Sequence, residues 1–155
     1  MIQASKSGRP SFVILQVGER RFALPAAVVA ELAPPVRLHS FPHDTPAIRG
    51  VIVRRGHIVP VYDAASALGV RSTAAQRFYL ITRRRAGKLR EFGAIPVNGD
   101  CELAEGELQP AAADRPSCVL GTIQLREEIL DVFDLDLLMS SGSPADSSAS
   151  AEVRA

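Results

Sequence analysis

The sequence has few of the residues that mark several classes of protein. It contains no tryptophan, two tyrosines and two cysteines among 155 residues, and its formal net charge at pH 7 is only +1. Cys101 and Cys118 do not have CxxC spacing, so we expect neither a disulfide framework nor a cysteine metal site. A nearly balanced charge produces no general attraction to polyanions. No apolar run approaches the ~18 residues of a membrane span.

The N-terminal region also lacks the pattern of a secretory signal. Lys6 and Arg9 are followed by Pro10 and then by strand-like alternation, whereas a signal peptide would continue with an apolar segment. We therefore expect a cytoplasmic protein with reduced thiols. The composition predicts disorder at both ends, in residues 1–10 and in the Ser- and Ala-rich tail 140–155.

Motifs of catalysis and metal binding are missing as well. There is no G-x-S-x-G, phosphate loop or GxGxxG. His39 and His43 have the spacing of two metal ligands on a helix, but Pro42 lies between them and prevents a regular helix. Asp63 and Asp134 each precede a short apolar segment, where helix capping accounts for a carboxylate. The sequence predicts a non-enzymatic protein without a metal or cofactor.

A β-hairpin is predicted by the stretch 50–63, which reads GVIVRRGHIVPVYD. Two β-branched runs flank the polar turn Arg54-Arg55-Gly56, whose glycine can adopt a positive φ. Asp63 can then cap a short helix over residues 64–68, and Gly69 can end that helix.

The same pattern returns 71 positions later, in residues 121–134. The repeat predicts two copies of one small β unit in the chain. Each copy has about 65 residues, near the lower limit for independent stability, so we expect their apolar faces to pack together. The pairs that keep the offset are Gly50/Gly121, Ile52/Ile123, Arg55/Arg126, Ile58/Ile129, Val61/Val132 and Asp63/Asp134, with Leu24-Pro25 and Ile95-Pro96 upstream.

The region before the first hairpin predicts a further hairpin and a helix. Strands over 12–17 and 21–24 flank the turn Gly18-Glu19, and both faces of the first strand are apolar, which indicates burial on both sides. Pro25 is suited to begin a helix over residues 26–32, and Pro34-Pro35 would end it. On that helix Glu31 would point away from the core, and the buried residues would be Val28, Val29 and Leu32.

One basic cluster stands out, in the turn of a hairpin predicted over residues 77–97. It supports an alternative function, in which a small basic β-barrel binds single-stranded nucleic acid with Phe78 and Tyr79 as stacking groups. A solvated turn is the favoured interpretation, because aromatic residues make up only 5% of the chain. The cluster consists of Arg83, Arg84, Arg85, Lys88 and Arg90.

Arg55 is a candidate anchor for a partner protein. At the tip of a rigid hairpin, its guanidinium offers a planar fork of donors to a carboxylate or to carbonyl groups. A solvated turn accounts equally well for an arginine here, and Arg54 beside it makes Arg55 less distinctive. The residues alone leave both interpretations open.

The hairpin over 50–63 resembles the signature of the CheW-like domain, the coupling module of bacterial chemotaxis. In that signature, Gly-Val-Ile-Asn-Leu-Arg-Gly is followed by two aliphatic residues, Pro, two more aliphatic residues and Asp. The resemblance extends over residues 12–139, through Ala-Leu-Pro at 23–25, Val28-Val29-Ala30-Glu31 and Ile48-Arg49-Gly50. It implies one all-β domain over 11–139, built from two packed SH3-like five-stranded β-barrels. Lobe one would span about 11–70 and lobe two about 77–139, with an exchange of end strands left open.

The resemblance also implies a function and a set of partner-binding residues. The protein would be an adaptor that couples the cytoplasmic tip of a chemoreceptor to the regulatory domain of a CheA-type histidine kinase. Val29, Arg55 and Phe78 would face the receptor between the lobes, and the first hairpin would support kinase docking. The full set of implied partner-binding positions is Val29, Glu31, Gly50, Val53, Arg54, Arg55, Gly56 and Phe78.

The sequence departs from the family pattern at two places. Val53-Arg54 replaces the Asn-Leu that precedes Arg-Gly in the signature, and the second-lobe strand ends in Pro96-Val97 without the family's aspartate. These departures imply a divergent, accessory coupling protein, and pilus-based or surface motility is the output that we expect.

Overall fold

The chain folds into two β-sheets with little helix, as a computed structural model of residues 9–42, 47–71, 78–98 and 101–141 shows. This confirms the predicted all-β class. The helical segments are a 3-10 turn (Ala26–Val28), α1 (Ala64–Leu68) and α2 (Leu135–Ser141). The strands are β1 (Ser11–Val17), β2 (Arg20–Pro25), β3 (Val29–Ala33), β4 (Ile48–Arg54), β5 (His57–Tyr62), β6 (Phe78–Ala86), β7 (Leu89–Val97), β8 (Glu102–Glu105), β9 (Gln109–Pro110), β10 (Val119–Leu125) and β11 (Glu128–Phe133).

Each sheet takes strands from both halves of the chain. The six-stranded sheet has the order β8-β1-β2-β11-β10-β9, and the five-stranded sheet has the order β3-β6-β7-β5-β4. The N-terminal hairpin therefore pairs with the last strands of the chain, while β6 and β7 join β3, β4 and β5. End strands are thus exchanged between the two sequence halves. The two-residue β9 makes one sheet larger than the predicted five strands.

The register of the sheets repeats with the offset found in the sequence. Each sheet contains one parallel pair: Val61 of β5 lies opposite Ala94 of β7, and Val132 of β11 lies opposite Ala23 of β2. Val132 follows Val61 by 71 positions, and Ala94 follows Ala23 by the same number. The predicted duplication of one β unit is confirmed, because equivalent strands make equivalent pairings.

Gly50 and Gly121 are required by a close approach of a neighbouring backbone. A Cβ atom on Gly50 would lie 2.5 Å from the His39 carbonyl oxygen, and one on Gly121 would overlap the Gln109 carbonyl oxygen. Each glycine also follows an irregularity in the pairing of its hairpin. The repeated glycine is therefore explained by packing, since no side chain fits at either position.

The largest core cluster lies between the two sheets. It contains Leu15 of β1, Leu80 of β6 and Leu68 of α1, so it joins both sheets and the helices, as the small size of each repeat predicts. Each sheet also has a smaller core cluster of its own, and Phe12 and Ile14 belong to the cluster of the six-stranded sheet. Alternate residues of β1 thus face two different cores, which explains why both faces of that strand are apolar.

Both predicted helix caps are confirmed. The Asp63 carboxylate accepts a hydrogen bond from the Ser66 backbone N–H at 3.2 Å, and Gly69 ends α1 with φ of 72°. The Asp134 carboxylate accepts from the backbone N–H groups of Asp136 and Leu137 at 2.8 and 3.1 Å. The repeated aspartate therefore satisfies backbone donors at the start of each helix.

The helix predicted over 26–32 is wrong beyond its first turn. After the 3-10 turn the chain continues as β3, in which Leu32 lies opposite Leu80 and Ala33 opposite Tyr79 of β6. Pairing with β6 satisfies the backbone and buries Ala33, so tertiary contacts override the local helix signals. Two further elements were missed in the segment 104–117, which contains the end of β8 and all of β9.

Most of the two predicted disordered ends, namely residues 1–8 and 142–155, lies outside the described residues. Helix α2 continues to Ser141, so it extends into the start of the predicted tail. His43 of the histidine pair also lies outside the described residues. Among the helices of the described part, none is long and apolar enough to cross a membrane.

Candidate functional site

The first hairpin turns through two residues, Arg55 and Gly56, which both have positive φ, at 52° and 80°. Such a turn favours Asn-Gly, because a left-handed conformation costs other residues roughly 1–2 kcal/mol. The sequence predicted a positive φ for the glycine alone. Arg126, at the equivalent position of the second hairpin, has φ of 57°. An arginine therefore occupies the left-handed position of both turns, a conformation that costs a residue with a side chain more than it costs glycine.

One carboxylate holds the arginines of the first hairpin. Glu31 accepts from Arg54 Nη2 at 2.9 Å and Nε at 3.2 Å, and from Arg55 Nη2 and Nε at 3.3 Å each. The hydrogen bonds from Arg54, and then those from Arg55, lower the pKa of Glu31 from 4.5 to about 2, since they stabilise the charged carboxylate. The prediction that Glu31 points away from the core on a helix is wrong, because its carboxylate binds Arg54 and Arg55 from a strand.

The second hairpin has a related contact. Arg126 Nη2 donates to Glu102 Oε2 at 3.0 Å, and Glu102 follows Glu31 by 71 positions. A contact between the hairpin turn and an acidic strand residue is therefore part of the repeated unit. In the first copy, the Arg54 side chain is 23% exposed and that of Arg55 is 71% exposed. Arg54 thus serves mainly to link the hairpin to β3, while most of Arg55 is accessible to a partner.

An apolar pair lies beside these arginines. Val53 and Ile58 are opposite each other in the hairpin, and they are 53% and 72% exposed. These two neighbouring aliphatic side chains form a small exposed apolar surface. We call this surface the hairpin patch, and it consists of Val53, Arg54, Arg55, Gly56 and Ile58.

An apolar groove of about 230 Å³ lies between the two sheets. Its floor includes buried Val29, and its rim includes the exposed side chains of Leu32 and Leu103. Of these residues, the sequence predicted only Val29 as functional. The alternation of Leu103 with Glu102 and Ala104 is a weak strand signal that could have identified the rim. The residues that line this apolar groove are Val13, Val29, Leu32, Leu80, Cys101, Glu102 and Leu103.

Strand β3 separates the hairpin patch from the apolar groove. Leu32 lines the groove, whereas Glu31 binds Arg54 and Arg55. Successive side chains of a strand point to opposite faces, so the two surfaces lie on opposite sides of β3.

The structure brings together five of the eight sequence-predicted site residues. Glu31 and the four hairpin residues from Val53 to Gly56 form one cluster. Val29 is only 4% exposed and lies in the groove floor. Gly50 is buried against the strand segment at His39 and presents no surface to a partner. Phe78 is partly buried against the core between the sheets, away from the hairpin patch.

Glu31→Gln is expected to destabilise the protein by about 1 kcal/mol at pH 7, because it replaces a partly exposed carboxylate shared by two arginines. The pKa of Glu31 is lowered on folding, so its contribution is complete above about pH 4.5 and is lost as the pH falls towards 2. Urea denaturation at pH 7, 4 and 3 should show the difference between wild type and variant becoming smaller. Glu107→Gln, which changes an exposed carboxylate outside the cluster, should show no such trend; the same trend there would contradict the assignment.

The aromatic groups invoked for nucleic-acid binding are not available near the basic cluster. Tyr79 is buried, and Phe78 packs against the core. Arg84 pairs with Glu91 and Asp136, so the cluster is not simply solvated. Within the described residues, no group of three or more His, Cys, Asp or Glu side chains is placed to hold a metal ion.

Comparison with known proteins identifies one family and one fold. A family model described as the CheW-like domain matches residues 11–115. Among solved structures, the scaffolding protein TtCheW from Thermoanaerobacter tengcongensis is similar in fold, with a TM-score of 0.72 and 17% sequence identity over 89% of this chain and 92% of that chain. No curated protein matches the sequence significantly.

Proposed function

The chain belongs to the CheW-like domain family, and on that premise we propose that it is a non-enzymatic adaptor coupling chemoreceptors to a CheA-type histidine kinase in bacterial chemosensory signalling. The observation that carries the proposal is the position of two apolar surfaces on opposite sides of β3. An adaptor must hold two partners at once, and surfaces separated by a strand can be occupied together. Arg55, on the hairpin side, adds an exposed positive charge to one of them.

The apolar groove is the proposed site for the receptor. The tip of a chemoreceptor is helical in this proposal, and a helix can place apolar side chains between Leu32 and Leu103 while buried Val29 supports the floor. A groove of this size accepts a few side chains, which suits a modest and reversible contact. Interfaces of this kind bury on the order of 800 Å² per partner or less.

The hairpin patch is the proposed site for the regulatory domain of the kinase. This proposal moves Arg55 from the receptor-facing positions implied by the family resemblance to the kinase surface, because Arg55 belongs to the hairpin of Val53 and Ile58 and does not line the apolar groove. Val53 and Ile58 supply the apolar centre, and Arg55 supplies the guanidinium N–H groups that do not donate to Glu31, those of Nη1 among them, to a carboxylate of the kinase domain. Glu31 holds Arg55 in place before binding, which reduces the entropy that docking must overcome.

Several carboxylates have structural roles that support a non-enzymatic adaptor. Asp63 and Asp134 cap helices, and Glu31 holds two arginines. Asp131 is buried and pairs with Arg20 and Arg115. We place the protein in the cytoplasm with its proposed partners, and we assign it an accessory role in pilus-based or surface motility because Val53-Arg54 departs from the family pattern.

Reconstitution with purified partners tests the proposal. The chain is mixed with the kinase regulatory domain and a receptor tip fragment from the same organism, and complexes are separated by size-exclusion chromatography. We expect each partner to bind alone and a ternary complex to form without displacement. Failure to bind both partners at high micromolar concentration would overturn the proposed function, and competition between the partners would contradict the use of two surfaces.

Leu32→Glu is expected to weaken binding of the receptor tip at least tenfold. The variant loses the ~1.5–3 kcal/mol of burying a leucine and places a charge at the groove rim. Kinase binding should not change, since Leu32 faces away from the hairpin patch. Titration calorimetry measures both affinities, with Leu89→Glu as a control at an exposed leucine outside the groove. If Leu32→Glu weakens kinase binding equally, the two surfaces are not separate.

A further inference from the structure

The hairpin of β6 and β7 extends beyond the rest of its sheet. Strand β3 pairs with β6 only as far as Val29 opposite Thr82, and β5 pairs with β7 at Ala94. Pairing between β6 and β7 continues to Ala86 opposite Leu89. Residues 83–92 therefore form a two-stranded ribbon. This ribbon, which we call the basic ribbon, carries five cationic residues and one acidic residue, although the whole chain has a net charge of only +1.

A cleft of about 480 Å³ lies beside the basic ribbon. The cleft exists because β3 begins only at Val29, which lies opposite Thr82 of β6. The residues before Val29 form the 3-10 turn Ala26–Val28, so β6 continues beyond Thr82 without β3 beside it. Its volume falls in the range of about 300–1,000 Å³ that is typical of small-molecule sites. We call it the arginine cleft, and its lining residues are Ala27, Val28, Arg83, Arg84, Arg85 and Arg90.

The positive charge in the arginine cleft is only partly neutralised. Arg84 pairs with Glu91 and Asp136 at 2.9 Å each, yet its buried Nε atom has no hydrogen-bond partner among the described residues. Arg83, Arg85 and Arg90 form no salt bridge with an acidic residue in the part of the chain that the structure describes. Three guanidinium groups thus face the cleft region without a counter-charge from the described residues.

Two of these arginines directly oppose each other across the ribbon. Arg85 lies opposite Arg90, and Arg83 is on the same face two residues along β6. Like charges in directly opposed positions destabilise a β-sheet. An anion between them would remove the repulsion, and the planar forks of arginine match the oxygen atoms of phosphate in a bidentate manner.

We propose that the arginine cleft binds a ligand carrying a phosphomonoester or polyphosphate group, with the phosphate among Arg83, Arg85 and Arg90. The less polar part of the ligand rests on Ala27 and Val28. Two sources share this chemistry: a free nucleotide-like metabolite and the headgroup of an anionic phospholipid. Single-stranded nucleic acid fits less well, because it needs a series of stacking platforms and the described residues that line the cleft include no aromatic side chain. This proposal does not depend on the adaptor function.

Ligand binding is tested on the full chain with defined probes at low salt. Pyrophosphate and ATP are titrated by calorimetry, and phosphatidylcholine vesicles with and without phosphatidic acid are used in co-sedimentation. Saturable one-to-one binding of pyrophosphate or ATP identifies a soluble ligand, whereas binding only to phosphatidic acid vesicles identifies a headgroup. Absence of binding to all of these probes would overturn the proposal.

Two double variants that remove equal charge show whether the arginine cleft is the site at which the probes bind. Arg85→Gln with Arg90→Gln is expected to weaken binding of the probe at least tenfold. Arg49→Gln with Arg71→Gln removes the same charge from exposed positions outside the cleft and should leave the affinity within about twofold. Equal weakening by both would show general charge attraction. Binding to oligodeoxythymidine that tightens with strand length, without saturable ATP binding, would show a polyanion surface; either result overturns the proposal.

Melting temperatures separate a binding role from a structural one. Without ligand, the Arg85→Gln and Arg90→Gln double variant should melt at the same or a higher temperature than wild type, because it removes a like-charge pair. Pyrophosphate should raise the melting temperature of wild type and not that of this variant. A lower melting temperature of the ligand-free variant would show that Arg85 and Arg90 stabilise the ribbon, and this result would contradict their proposed role in binding an anion.

Discussion

Ile58→Glu is expected to weaken binding of the kinase regulatory domain about a hundredfold while the melting temperature of the free protein stays nearly unchanged. Ile58 is 72% exposed and lies opposite Val53, so the substitution leaves the folded core intact. In the proposed complex it removes ~1.5–3 kcal/mol of apolar burial and desolvates a carboxylate, and about 2.7 kcal/mol corresponds to a hundredfold change in Kd.

The repeat supplies a matched control for this experiment. Ile129 occupies the equivalent position in the second hairpin and is 66% exposed, so Ile129→Glu changes the free chain in the same way. Both affinities are measured by titration calorimetry against the regulatory domain. If the two variants bind equally weakly, the first hairpin is not the specific docking site. If Ile58→Glu binds like wild type, the hairpin patch is outside the interface.

Gly121→Ala is expected to destabilise the protein by about 3 kcal/mol, at the upper end of the usual cost of overpacking. The added Cβ atom would overlap the Gln109 carbonyl oxygen and lie 2.9 Å from Leu108 Cδ1. The backbone of β9 must then move away from β10, where Pro110 lies opposite Gly121. At roughly 2–4 °C per kcal/mol, the melting temperature should fall by about 6–12 °C.

Gly50→Ala serves as a parallel case for Gly121→Ala, and Gly106→Ala serves as a control. Gly50→Ala should cause a similar loss, because its Cβ atom would lie 2.5 Å from the His39 carbonyl oxygen. In Gly106→Ala the new atom would be 3.4 Å from Ile123 Cβ, close to ordinary contact, so we expect a change below about 1 kcal/mol. Urea denaturation measures all three. A Gly121→Ala protein as stable as Gly106→Ala would contradict the close approach of β9.

Local signals were sufficient for the hairpins and their caps. The β-branched runs around Gly56 and the aspartates before each helix determine structure over a few residues, and the structure has the hairpin and the caps where they were predicted. Local signals failed at residues 29–33, where Pro25 and an apolar spacing predicted a helix. The chain there is a strand because β6 lies beside it, and a partner about 50 residues away cannot be read from local propensity.

The candidate site was also predicted only in part from local signals. Arg55 was singled out from its position in the turn, whereas Arg54 and Glu31 entered the predicted site only through the family resemblance. Local pattern had placed Glu31, which holds both arginines, on the exposed side of a helix. The apolar groove was found only in part, through Val29. Its other walls come from β1, β6 and β8, which meet only after end strands are exchanged between the sequence halves.

The sequence by itself determined the repeated unit. Its hairpin and its capping aspartate recur at one spacing because they satisfy backbone groups within each unit, and its glycine recurs because a neighbouring backbone leaves no room for a side chain. Only the tertiary structure decided how the two units share strands, and therefore which side chains line the apolar groove and the arginine cleft. The physical reason is that the walls of the groove and of the cleft come from segments distant in sequence, whose contacts are set by the packing of whole sheets, whereas the opposition of Arg85 and Arg90 is local to one hairpin.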